Sequence, residues 1–386
     1  MMNFNKNKSE NTQQSAINLF AFKLLALTAL SACLGQAQTG TPGAVFAMTN
    51  RANNNEVFAF NRAADGTLLQ TGRYSTRGNG IGVDFDTQGG LMLGNENRFL
   101  YACNPGSDNI TVFAVNGSAL TYLQKIYAGD QPLSLTIFGN LLYVLDGSVA
   151  GNQITGFRIA ANGTLSPLAN STKMLSSPIA VPGVVRFGPN GKVLIVTHKV
   201  GSQIDVFRIG ADGLPLDPVP NPSAGQRPFA ATFTNSGQMI VIESGLPIMK
   251  NAGVSVYGVD PASGGISVIT ASAKNSQTDG CWVVITNDQQ YVFTANFVSG
   301  TISSYRLRPD GFAGLINGSA ASLGDLSQPT DLGLSADSRY LYNLLRGTGG
   351  VAAFRVEANG TLTNLGIFGV NAGLPVANGA SGLASY

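Results

Sequence analysis

One phrase is spelled almost identically at two distant places, FRIAANGTLSPL from Phe157 and FRVEANGTLTNL from Phe354. Looser copies read NEVFAFNRAADGTL (from Asn55), DNITVFAVNGSAL (from Asp108), SQIDVFRIGADGL (from Ser202), AGVSVYGVDPASGGI (from Ala252) and GTISSYRLRPDGF (from Gly300). The aromatic anchors Phe60, Phe113, Phe157, Phe207, Tyr257, Tyr305 and Phe354 are spaced by 53, 44, 50, 50, 48 and 49 residues. A period near 50 residues means that each unit is one supersecondary element able to bury its faces only against its neighbours.

Each copy alternates apolar and polar residues before a turn, an Asn-Gly or Asp-Gly pair in six of the seven, the pattern of a strand entering a tight hairpin. A second strand precedes most copies (FLYACN, LLYVLD, VLIVTH, MIVIES, YVFTAN, YLYNLL), and before it stands a short apolar run often opened by Pro, as in RPFAATF from Arg227. Four strands per unit and seven units predict an all-β chain, a seven-bladed β-propeller of four-stranded blades. The first unit starts at its second strand, AVFAMTN from Ala44, and NGASGLASY from Asn378 reads as an inner strand with no blade after it. The C-terminal segment is therefore expected to supply the inner strand of the first blade and to close the ring without an open sheet edge. Residues 44–386 form one propeller domain on this reading. Sequons such as Asn116-Gly117-Ser118 and Asn359-Gly360-Thr361 fall in the hairpins and read as turn chemistry.

Residues 1–43 read as an export signal with a short linker. A polar, Lys-bearing stretch ends at Lys23, and LLALTALSA then forms an apolar run too short to span a bilayer. LSAC, closing at Cys33, resembles a bacterial lipobox whose Cys is lipidated; an ordinary signal cleaved after Ala37 is the alternative. Either way the protein is expected outside the cytoplasm, in the periplasm, held to the envelope membrane only through an N-terminal lipid, or secreted if not lipidated. Beyond residue 32, basic and acidic residues balance at 20 each, so no basic stripe for nucleic acid is expected. One His and three Cys leave no room for a Cys/His zinc cluster, and neither a metal nor a cofactor is expected. Cys103 falls in the second blade and Cys281 in the sixth, too far apart for a disulfide, so both read as buried free thiols.

Candidate chemistry comes from the position that is polar in every repeat, the end of the second strand: Asn50, Asn104, Asp146, His198, Glu243, Asn296 and Arg346. Pseudo-symmetry is expected to bring these seven to one face around the central channel. Asn and Asp also start turns by bonding nearby amides, whereas for His198, Glu243 and Arg346 function and structure weigh evenly. Asp331 and Trp282, on inner strands, are further candidates to line the channel, with Arg186 and Arg227 nearby in sequence. Trp282 also reads as packing between blades. GNGIG (Gly78 to Gly82) is glycine-rich but opens no helix, so it is discounted as a nucleotide loop.

ADGTL, LYVLD, FGPNGKVLIVT, CWVVIT and LSADSRYLYNL, in that order, resemble the lactonase family of seven-bladed propellers, which includes bacterial 6-phosphogluconolactonases and fungal carboxymuconate cyclases. The resemblance covers nearly all of residues 44–386 and implies cofactor-independent lactone hydrolysis, or its reverse, with His, Arg and Glu at the channel mouth. It also implies a His four residues before an inner-strand Phe, where Gly183 precedes Phe187, and an Arg-His pair before the next such Phe, where Phe229 and Ala230 precede Phe233. Glu243 matches the family's Glu, while His198 lies elsewhere in its blade. Two functions follow as expectations. One is hydrolysis of a lactone or related cyclic ester, with Glu243 as base, Arg346 at the developing oxyanion and His198 as acid or orienter. Asn50, Asn104, Asp146, Asn296, Asp331 and Trp282 would then contact substrate. The other is a non-catalytic, lipid-tethered propeller that binds a sugar acid, peptide or envelope protein. A monomer is expected in both.

Overall fold

Alternation along the repeats yields strands with one face on each neighbouring blade, and the order of strands within each sheet follows the chain. The computed structural model describes residues 41–148, 152–377 and 379–386. The export signal and Cys33 lie outside the described residues. Among those residues seven antiparallel sheets form seven blades. Blade 4 is representative: an inner strand Pro182–Phe187, a second strand Val193–His198, a third strand Gln203–Arg208 and an outer strand Val219–Pro222. In blade 3 the outer strand is split into Leu165–Pro167 and Lys173–Met174.

Ring closure follows the sequence. Leu383–Ser385 pairs antiparallel with Gly43–Met48, so blade 1 has its inner strand from the C-terminal segment and its other three from the N-terminal part of the domain. The repeated hairpin owes its spelling to contact between blades. In blade 3 Gly163 has φ +84°, and a Cβ there would lie 2.3 Å from the ring of Phe99 in blade 2. Its carbonyl accepts a 3.0 Å hydrogen bond from Tyr101 of the same neighbour. Gly66 in blade 1 meets Tyr340 and Tyr342 of blade 7 in the same way. Only glycine combines the left-handed turn with so close a neighbour. The Asn before it fixes the turn: Asn359 Oδ1 accepts the Thr361 amide at 3.1 Å.

The aromatic anchors of the seven copies are all buried on the third strands, and Cys103 and Cys281 are buried free thiols. The first position of the inner strand lies beside the last position of the second strand, as in Pro182 with His198, Pro228 with Glu243 and Gly280 with Asn296. The channel therefore has two distinct ends. One is the mouth where inner strands begin, and the other is where they finish.

Candidate functional site

At the starting mouth, six of the seven second-strand termini are fully buried. Asn50, Asn104, Asp146, His198, Glu243 and Asn296 have no exposed surface. Except for Asn50, their side chains turn toward the third and outer strands. Asn104 Nδ2 donates to Asn109 and Thr111, each at 2.9 Å, and Asn296 Nδ2 to Thr301 Oγ1 at 3.0 Å and Ser303 at 2.8 Å. Gln153 donates to Asp146 at 2.9 Å, and burial pushes that carboxyl up to about 7. His198 Nε2 lies 2.9 Å from Asp205 Oδ2. Burial would raise the Asp205 carboxyl, but His198 and the amide and hydroxyl of Ser176 together hold it below its ordinary range.

Glu243 is enclosed by its own blade. Ser272 donates to one carboxylate oxygen at 2.8 Å and the Tyr257 hydroxyl approaches the other at 3.4 Å, while Gly225 closes over it so tightly that a Cβ would stand 2.3 Å away. Burial pushes the carboxyl up to about 7. Arg346, one-sixth exposed, pairs with Asp84 at 2.7 Å and lies over the ring of Phe297.

Asp84 belongs to the segment that fills this mouth. Residues 76–90 connect blades 1 and 2 and carry no strand. Gly80 and Gly82 donate their amides to Arg51 and Asn50 in blade 1, and the Asn50 side chain accepts from Ile81 and donates to Val83 and Gly379. Asp86 pairs with Lys199 of blade 4 at 2.5 Å, and Lys199 stacks on Phe229 of blade 5. Thr87 bonds Leu133 of blade 3 and accepts from Trp282 Nε1 of blade 6 at 3.3 Å. Gln88 forms a two-way amide bridge to the backbone of Val283, and its own amide donates to Gly183. A segment bonded to blades 1, 3, 4, 6 and 7 is a plug across the channel. Burial raises the Asp84 carboxyl, helped by the like charge of Asp86, and Arg346 and Lys199 offset this only in part.

Of the inner-strand candidates, Trp282 packs between Phe229 and Phe297, its ring centroid 5.1 Å and 6.2 Å from theirs. Arg227 and Asp279 stand just before their inner strands with left-handed φ of +54° and +62°. Arg227 is one of the charges acting on Asp279, whose carboxyl burial raises. Asp331 is buried and accepts the Gly382 amide at 2.9 Å; burial pushes its carboxyl up to about 7. Behind the plug the channel reopens as a well of about 390 Å³, lined by Gln88, Asp331 and the finishing ends of the inner strands, Arg186 among them. Among the described residues no group of three His, Cys, Asp or Glu is arranged to hold a metal ion.

Sequence reasoning missed the plug, although the first spacing of 53 residues is the longest of the six and the excess lies where no strand pattern occurs. It also missed the partners of the second-strand termini. Four of those partners sit seven residues on, as Thr111, Gln153, Asp205 and Ser303 follow Asn104, Asp146, His198 and Asn296.

A family model described as lactonase, 7-bladed beta-propeller, matches residues 44–181 and 236–319, more than half of the chain. The chain belongs to the lactonase family. A 6-phosphogluconolactonase of Serratia proteamaculans is 21% identical to it over 276 residues, 68% of this chain and 79% of the relative. A putative 6-phosphogluconolactonase of Bacteroides uniformis superposes with a TM-score of 0.69 at 15% identity, covering 88% of this chain and 98% of that one. A periplasmic gluconolactonase of Pseudomonas aeruginosa does so with a TM-score of 0.65 at 16% identity, covering 89% and 98%. The internal stretch that this lactonase-family chain does not share with the family model, 182–235, holds the inner strands of blades 4 and 5. Gly183, Phe229 and Ala230 stand there.

Proposed function

We propose that this lactonase-family propeller binds a small molecule and does not hydrolyse it. The carrying observation is the plug: residues 76–90 occupy the mouth at which the family resemblance locates chemistry, with Asp84 and Asp86 ion-paired to Arg346 and Lys199. Three further points support the reading. Glu243 is enclosed by Ser272, Tyr257 and Gly225. A general base must come within hydrogen-bond reach of the proton it takes, and a carboxyl with no exposed surface offers water no approach. His198 is engaged with Asp205, and Gly183, Phe229 and Ala230 carry no acid–base group. Arg346, Asn50, Asn104, Asp146, Asn296 and Trp282 act on this account as structural groups of the plugged end.

The competing reading, hydrolysis of a lactone, draws on the names of the relatives. It would place Asp331, whose carboxyl burial brings to about 7 on the wall of the well, as the base. A pH-stat assay of the mature domain on aldonolactones and muconolactones separates the two. Our reading expects no rate above buffer, whereas saturable hydrolysis abolished by Asp331→Asn or Glu243→Gln would overturn it. We further propose that the domain acts outside the cytoplasm, tethered through Cys33 or released after Ala37. Cys33→Ser should move a tethered protein from the membrane fraction to the soluble one.

A further inference from the structure

The well behind the plug contains one charged donor without a counter-ion. Arg186 stands on the inner strand of blade 4, half-buried, and its Nε donates to the carbonyl of Ala231 in blade 5 at 3.2 Å. That bond fixes the plane of the guanidinium and leaves both terminal nitrogens for another partner. Among the described residues no carboxylate pairs with it, whereas Arg346 and Lys199 at the opposite end are each matched to an aspartate. Desolvation is what bears on Arg186, and it lowers the guanidinium only to about 10, so the side chain is cationic at neutral pH. A cation held against an apolar wall without a counter-charge favours any anion that fits.

Besides Thr232 and Asn97, most other polar side chains of the wall are already engaged. Gln88 is bridged to Val283, Ser335 donates to Asp337, Asn287 to the Ala336 carbonyl and Ser385 to the Leu334 carbonyl. Asp331 accepts the Gly382 amide. Aliphatic side chains such as Leu91, Met92, Leu93, Ile285 and Leu334 supply much of the remaining surface. A polyhydroxylated acid would bury hydroxyls with few free partners here, while a hydrocarbon body would not.

We propose that the well binds a small monocarboxylate with an apolar body, its carboxylate seated bidentately on Arg186 and its body against the aliphatic inner strands. This inference rests on the reading of the protein as a binding propeller and names the ligand class of its channel.

The test is calorimetric titration of the mature domain with benzoate and octanoate, against D-gluconate, inorganic phosphate and neutral benzamide. Benzoate and octanoate should saturate a single site, with benzamide at least about 10-fold weaker. Arg186→Met should weaken the carboxylates roughly 10- to 100-fold, the range for loss of a charge-assisted bidentate pair, and Arg186→Lys should recover part of the loss. Comparison of benzoate with benzamide on the unaltered protein decides the matter even if Arg186→Met does not fold. Equal binding of acid and amide, tighter binding of gluconate or phosphate than of benzoate, or carboxylate affinity unchanged in a folded Arg186→Met protein would each overturn the proposal. Lactone turnover by the same preparation, with benzoate still bound through Arg186, would remove the non-hydrolytic reading and leave this site standing. Absence of both turnover and carboxylate binding would remove this site alone.

Discussion

The two ends of the central channel are bordered by the same seven inner strands, yet they have been put to different uses. Where the strands begin, fifteen connecting residues cross the opening, charges meet in pairs across blades, and five of the seven second-strand termini face into the sheets, while Asn50 and Arg346 hold the crossing segment. Where the strands finish, a cationic side chain lines a well whose wall is in good part aliphatic. A propeller gives both mouths to any sequence, so the fold alone does not choose between them. Here the choice is made by residues 76–90 and by Arg186. At the starting end, polarity serves cohesion. At the finishing end, one uncompensated charge is available for recognition.

The contrast can be broken or sharpened by substitution. The largest effect is expected for Trp282→Ala, which removes the ring between Phe229 and Phe297 and the bond to Thr87. Urea unfolding should show a loss of about 3–5 kcal/mol, as for other buried aromatic truncations, and proteolysis should cut within residues 76–90. His198→Ala comes next: it removes one partner of the buried Asp205 carboxylate, which keeps Ser176 and Gln203, and a loss of about 1–3 kcal/mol is expected. Stability lost without any change in benzoate affinity would keep His198 at the structural end.

Glu243→Gln is expected to act in the opposite direction. Its folded-state carboxyl stands near 7, above the ordinary value of 4.5. The protonated form is therefore favoured by folding, and the stability it contributes is present below pH 4.5 and lost as pH rises through 7. The amide does not titrate, so Glu243→Gln should be more stable than the parent by about 1–3 kcal/mol at pH 8 and near parity at pH 4.5. Thermal melts at the two pH values check this; a variant destabilised at pH 8 would mean that the ionised carboxylate is what the fold requires. The smallest effect on stability, about 0.5 kcal/mol or less, is expected for Arg186→Met, the substitution expected to cost most in carboxylate binding. Large destabilisation by Arg186→Met would merge the two ends into one structural role.

The fold could be read from the sequence because repeats report packing directly. In blades 1, 3, 4 and 7 the turn glycine meets the start of the neighbouring blade's second strand, so its spelling is preserved there and its period can be counted. Closure by Leu383–Ser385 was legible for a related reason, since an inner strand without a blade needs a partner. The site was less legible. Seven polar strand ends suggested a ring around the channel, but polarity at a strand end is equally what a sealed side chain needs to bond its own sheet. Asn104 with Thr111 and Asn296 with Ser303 show that alternative. The plug has no repeat to announce it, because its contacts join blades far apart in sequence: Gln88 reaches Val283 and Asp84 reaches Arg346. Arg186 was visible only as one charge near an inner strand, and its lack of a counter-ion is a property of the assembled ring.

The most direct test of the account is amide hydrogen exchange across residues 76–90 in the native protein. Gly80, Ile81, Gly82 and Gln88 donate to Arg51, Asn50 and Gly183. If the segment closes the channel, these four amides exchange as slowly as those of the blade strands, and saturation with benzoate leaves them unchanged. Exchange at the rate of an exposed loop, or protection that arises only when ligand is added, would contradict the plug and reopen that mouth as the working end.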